Sequence, residues 1–239
     1  MANTPKIKRL FFDIETQANP ENLGLAPEPK PAANLKDPDK IAADIAAKKQ
    51  ALIDMAALDP DYGKVLSIGY ATDVDSPIMT YVVGQCVNLD IENVDTDTGE
   101  ITYLEVLLTE EDLLRHFWKV FTDCSGHCVG YNILGFDLPY LLRRSMALGV
   151  KVPFVQFLAR YRTEPVTDLM AILYNWGADK YKGLKQVAKL YGIPNNCPDM
   201  DGSQVSADIS PMLLHAYQKS DVELVIALYQ KMNGIYFIH

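Results

Sequence analysis

Lys8 to Glu15 (KRLFFDIE) is an apolar, β-forming run that ends on two acids two positions apart, a pattern that predicts a strand. Lys64–Thr72 and Pro77–Val83 predict two more strands, with turn residues between them. After a turn at Asp95–Glu100 with Gly99 at its tip, Ile101–Leu107 reads as a hairpin arm. Thr109 with Asp112 three residues on has the form of a capping box, and Leu113, Leu114, Phe117, Val120 and Phe121 give the helix behind it an apolar stripe to lay on a sheet. His127–Tyr131 predicts a strand, followed by a helix over Phe136–Leu148 that Gly149 stops. A short strand near Val166–Met170 and a helix near Lys182–Tyr191, ended by Gly192 and Pro194, come next. The last helix runs over Met212–Met232, opened by Ser210 and Pro211. Strands interleaved with amphipathic helices predict an α/β fold.

Between Gln17 and Tyr62 the pattern breaks. Six of the fourteen prolines fall there, and Asp37-Pro38 starts a helix reaching to about Leu58. The stretch reads as an insertion after the first strand, either a solvated decoration or a wall over a site.

At 239 residues and 49% hydrophobic, the chain is expected to form a single domain over 1–239 that carries this insertion at about 17–62. No run reaches the roughly 18 to 20 apolar residues of a membrane helix, and the start MANTPKIKRLFF lacks the form of a signal peptide, so a cytoplasmic location without membrane contact is expected. Cys86, Cys124, Cys128 and Cys197 have no disulfide-framework spacing and are expected to be free thiols. Cys124, His127 and Cys128 lack a second ligand pair at zinc spacing, which favours buried thiols over a metal cluster.

A net charge of −9 excludes a protein that coats nucleic acid by basicity alone. The charge is uneven, +6 over Leu138–Leu190 and −15 elsewhere. That stretch is either a basic flank for a polyanion or a set of ordinary solvated helix faces.

Three local patterns carry candidate chemistry. Asp13 and Glu15 are two apart on a strand, so the pleat sends both carboxylates to one face, as a divalent-metal site needs. In Gly130-Tyr131-Asn132-Ile133-Leu134-Gly135-Phe136-Asp137 a strand delivers Asn132 and the next helix begins at Asp137, where the helix dipole favours an acid whatever its task. Tyr217 and Asp221 lie one turn apart on the last helix, the sole Tyr-x-x-x-Asp in the chain.

In this order and context FFDIET, YNILGFD and YQKSD resemble the three exonuclease motifs of the DEDD superfamily, in the tyrosine-bearing branch that includes the proofreading domains of family B DNA polymerases. The other branch carries His five residues before the last Asp. Here that position is Ala216, and His215 is left as a surface or packing residue. The resemblance implies an RNase H-like α/β fold, a mixed five-stranded sheet with strands one to three antiparallel and helices on both faces. It implies a 3′→5′ exonuclease acting on the 3′ end of DNA, single-stranded for preference, with Asp13, Glu15, Asp137 and Asp221 holding two Mg²⁺ or Mn²⁺ ions and Tyr217 orienting the attacking water. Asn132 and Phe136 are implied contacts to the terminal nucleotide. A chain of 239 residues leaves no room for a polymerase domain, so proofreading or repair would act in trans on a DNA polymerase or repair protein. Two alternatives remain open: a catalytically silent nucleic-acid-binding or polymerase-accessory module, and a 3′→5′ exoribonuclease.

Overall fold

The structure is a computed structural model that describes residues 8–84, 91–94, 101–107, 109–153, 158–195 and 209–236, with the backbone alone at 91–94 and 101–107. In chain order the elements are β1 (Leu10–Ala18), α1 (Pro20–Leu23), α2 (Pro38–Met55), β2 (Gly63–Ala71), β3 (Met79–Val83), β4 (Ile91–Val94), β5 (Ile101–Leu107), α3 (Glu110–Asp123), β6 (Cys128–Gly130), α4 (Asp137–Leu148), β7 (Val166–Asp168), α5 (Leu169–Leu173), α6 (Leu184–Leu190) and α7 (Pro211–Met232).

The strands form one sheet in the order β4-β5-β3-β2-β1-β6-β7. Five of them, β3-β2-β1-β6-β7, make the expected RNase H-like core, with β1, β2 and β3 antiparallel and β6 and β7 parallel to β1. The antiparallel pair β4 and β5 extends the sheet beyond β3, to which β5 pairs in parallel. The expected hairpin arm is thus β5, while the turn expected at Asp95–Glu100 lies outside the described residues.

Alternation along β1 builds two cores. Leu10, Phe12 and Ile14 face α3 and α4, while Phe11 faces the opposite side, with residues of α5, α6 and α7. Thr109 caps α3 as expected, its hydroxyl accepting from the Asp112 amide at 3.1 Å and donating to the Asp112 carboxylate at 2.6 Å. The apolar stripe of α3 is buried, together with Trp118. Gly149 ends α4 in the left-handed region at φ 69°, where a side chain would be strained. Pro211 opens α7, but the Ser210 side chain makes no capping hydrogen bond.

Three boundaries differ from expectation. β1 continues to Ala18 because Thr16–Ala18 pair with Val65–Gly63 after a one-residue register shift, so Asp13 and Glu15 lie inside the strand and not at its end. β7 stops at Asp168, whose carboxylate caps α5 by accepting from the Ala171 amide at 3.1 Å, and Met170 is therefore helical. In the insertion, α2 buries no side chain, and attachment comes from the turn after it. There Ala56 is buried, and the Ala57 carbonyl accepts from the hydroxyls of Thr16 at 2.6 Å and Tyr140 at 3.1 Å.

Part of the basic stretch is structural. Buried Arg144 makes a two-pronged bond to Glu110, at 2.9 and 2.8 Å, and Glu110 also accepts from the Val65 amide at 2.8 Å. Arg143 pairs at the surface with Asp59 and Asp61. Cys124 and Cys128 are buried free thiols, and His127 Nδ1 lies 2.9 Å from Glu164 Oε2; the group spaced to hold a metal among the described residues does not include the three. His215 is a packing residue, buried with its Nδ1 2.8 Å from the Thr80 hydroxyl. Among the described residues no helix is long and apolar enough to cross a membrane.

Arg144→Ala strands the largely buried Glu110 carboxylate and should cost about 3 kcal/mol of stability in urea unfolding. The neighbouring Arg143→Ala should cost under about 1 kcal/mol, because its partners are solvated. Equal losses for the two variants would refute the assignment of Arg144 as the internal tie.

Candidate active site

Asp13 and Glu15 share the α7 face of β1 with Phe11. Gly69 is the residue of β2 directly opposite Asp13, and a Cβ there would lie 2.6 Å from Cγ of Gln218. The missing side chain lets α7 settle onto the sheet, where Gln218 Nε2 donates to the Asp13 carbonyl at 3.0 Å. Tyr217 and Asp221, on the same side of α7, are thereby delivered to the acids of β1. The register shift after Glu15 contributes as well. It turns both Leu66 and Ser67 of β2 toward α7, where Leu66 packs with Tyr217.

One carboxylate oxygen from each of Asp13, Glu15 and Asp221 lies within 4.8 Å of the other two. Asp137, in the first turn of α4, stands behind them and accepts from the Ile14 amide at 3.3 Å, which ties α4 to the middle of β1. It is outside the three-residue set, yet close enough for its charge to act on Asp13 and Glu15. The Tyr217 hydroxyl lies near enough to the Asp221 carboxylate to lower its pKa, while Asp221 Oδ1 is buried without a hydrogen-bond partner among the described residues.

Burial pushes all four carboxyls up. Asp13 rises well above the usual range through burial and then the charges of Glu15, Asp137 and Asp221. Glu15 is pushed to about 8 by burial and by Asp221 and Asp137. Asp137 is pushed to about 7 by burial, against the lowering effect of its backbone hydrogen bonds. Asp221 is raised by burial, with Lys185 and the Tyr217 hydroxyl pulling the other way. An all-oxygen donor set, mutual repulsion and an unpartnered buried carboxylate oxygen fit a hard divalent ion such as Mg²⁺ or Mn²⁺.

The cleft in front of Asp13, Tyr217 and Asp221 measures about 300 Å³ and is closed on its other side by Tyr131 and the Gly183–Gln186 turn of α6. No residue of the 19–62 excursion, the part of the insertion that follows β1, is among those lining it. Asn132, at φ 66°, follows Tyr131 and presents its backbone amide to Asp168. Phe136 precedes α4, with its ring 5.4 Å from Tyr140 and packed against the first core.

Two contributors escaped the sequence reading. Asp168 accepts from the amides of Asn132 at 3.0 Å and Leu134 at 2.9 Å, which holds the loop that ends on Asp137. An acid directly after a short strand and before a helix was its signal. Lys185 places its ammonium 4.4 Å from the Tyr217 ring centroid and lowers the pKa of Asp13, Glu15 and Asp221. It was counted only as one charge of the basic stretch.

Residues 76–235 match a family model described as a predicted 3′-5′ exonuclease related to the exonuclease domain of PolB. The chain is also 26% identical over 111 residues to a DNA polymerase of Pyrococcus glycovorans, and 28% identical over 109 residues to DNA polymerase 1 of Pyrococcus abyssi. These alignments cover 46% and 45% of this chain, and 12% of each polymerase.

The raised carboxyls set a pH dependence. Their unfolded values are about 3.9 for Asp and 4.3 for Glu, so above that range the folded protein binds more protons than the unfolded chain. Their contribution to stability is therefore full below about pH 4 and is lost as pH rises through about 7 and 8, the values of Asp137 and Glu15. In chelator, thermal melting should show a Tm declining from pH 5 to pH 8, and millimolar Mg²⁺ or Mn²⁺ should raise it most at pH 8. A Tm at pH 8 indifferent to both ions would rule out the metal site.

Proposed function

The chain belongs to the family of predicted 3′-5′ exonucleases related to the exonuclease domain of PolB, and on that premise we propose that it removes nucleotides from the 3′ end of DNA. The observation that carries the proposal is the convergence of Asp13, Glu15 and Asp221, with Tyr217 one helical turn from Asp221.

Asp13, Glu15 and Asp221 would hold one Mg²⁺ or Mn²⁺, and Asp13 would share a second with help from Asp137 directly or through water. Bound there, the pair supplies a water activated at neutral pH and a counter-charge for the departing 3′ oxygen. The protein's own part is orientation. Tyr217 packs on Leu66 and lines the cleft beside Asp221, so its hydroxyl positions the attacking water. Positioning of the water, and not removal of its proton, is the role proposed for Tyr217. Lys185 brings positive charge to the cleft where the phosphodiester must lie, offsetting part of the carboxylate field. Asn132 and Phe136 flank the loop beside the cleft and would support the terminal nucleotide.

DNA is favoured over RNA because the polymerase relatives align with this chain, although over 12% of their length. With the acids and Tyr217 assembled in one cleft, catalysis is favoured over a silent binding module. Action in trans with a DNA polymerase or a repair protein is the corresponding biological role.

With Mg²⁺, a 5′-labelled single-stranded DNA should yield a ladder shortening from its 3′ end on a denaturing gel, and Asp137→Ala should remain folded and give none. Tyr217→Phe should lower kcat by roughly 10²-fold with little change in KM. A strand left intact by folded wild-type protein in Mg²⁺ and in Mn²⁺, with a matched RNA degraded, would replace DNA by RNA. Both left intact would refute the exonuclease proposal.

A further inference from the structure

Tyr131 and Asn132 divide two cavities. Tyr131 lines the carboxylate cleft, and Asn132 lines a second cavity of about 370 Å³ bordered by Leu158, Arg160, Trp176 and Tyr181. Consecutive α-carbons are about 3.8 Å apart, so the two residues that part the cavities are immediate neighbours in the chain.

The lining of this cavity sets it apart from an ordinary crevice. Trp176 is held at φ 52°, ψ 36° in the turn Asn175–Gly177, and Asn175 before it is at φ 47°. Two successive non-glycine residues in that region are uncommon, and the conformation fixes the indole at the rim, where a regular helix would carry it elsewhere. The ring is half-buried with Tyr161 beside it, centroids 5.5 Å apart. The indole Nε1 is buried and finds no acceptor among the described residues, and a buried donor of that kind is expected to meet one. Arg160 is exposed and forms no ion pair among the described residues. Asp168 also borders the cavity, but its carboxylate already accepts from the amides of Asn132, Leu134 and Ala171. The cavity thus offers an aromatic side chain and a cation, the pair that single-stranded nucleic acid uses without regard to sequence.

Resting on the exonuclease reading of the carboxylate cleft, we propose that this second cavity is a nucleobase subsite, in which a base flanking the scissile phosphodiester stacks on Trp176 and Arg160 meets the strand's phosphate. The adjoining cleft then receives the bond to be cut while Trp176 holds the strand in register.

The test is binding of a fluorescent single-stranded DNA whose last linkages are phosphorothioates, in Ca²⁺, with an abasic nucleotide placed in turn at each of the three 3′-terminal positions. Trp176→Ala should raise Kd about ten-fold or more for the intact strand, and Trp176→Phe should restore most of the loss. At one of the three positions the abasic strand should bind wild-type protein as weakly as the intact strand binds Trp176→Ala, with no further loss when both changes are combined. Undiminished binding by folded Trp176→Ala, or the same loss on every abasic strand, overturns the subsite. If Trp176→Ala does not fold, the wild-type scan decides: a drop at one position supports the subsite, and equal binding of all strands overturns it. Cleavage of an ordinary strand in Mg²⁺ is scored separately. Binding that follows this pattern without cleavage sinks the exonuclease reading alone, and normal cleavage without the pattern sinks the subsite alone.

Discussion

Everything at the cleft depends on how closely α7 approaches the central strand. Gly69 removes the side chain that would block it, and Gln218 fills the gap and bonds the Asp13 carbonyl. From that contact Tyr217 and Asp221 have no freedom left except their own rotamers, because helix geometry sets them relative to Gln218. The opposite side is secured in the same economical manner, Asp137 taking the amide of Ile14 from the far core. A β-strand with acids on one face and core residues on the other is thus gripped from both sides at neighbouring residues.

That grip works against electrostatics. Four carboxyls are crowded where burial disfavours their charge, and Lys185 is the cation that eases three of them. The uneven charge of the sequence resolves into separate tasks. Arg144 is an internal tie, Arg143 joins α4 to the loop before β2, Lys182 lies 5.0 Å from the Tyr174 ring, and Lys185 stands at the cleft. Of these four cations, only Lys185 lines the cleft.

The parts of the fold legible in the sequence are those written in local period. The pleat put Asp13 and Glu15 on one face, the turn of α7 paired Tyr217 with Asp221, and Thr109 with Asp112 announced α3. The extent of β1 was not legible, because its last residues are strand only through pairing with Val65–Gly63 some fifty positions away. Gly69 reads as an ordinary strand glycine until Gln218, far along the chain, is laid against it. Asp168 looks like a plain cap for α5, and its hold on the Asn132 loop needs β6 and β7 side by side. The pairing of β5 with β3 in parallel is likewise invisible to a window of a few residues.

The one-residue shift after Glu15 sets two phases in the strand pair. Upstream of it the pleat serves the acids, and downstream it serves the entrance and exit of the 19–62 excursion. A change in length beyond the shift alters the second phase without turning Asp13 or Glu15 to the other face. The bulge acts as an expansion joint, which separates the facing of the two acids from the length of the branch beyond it.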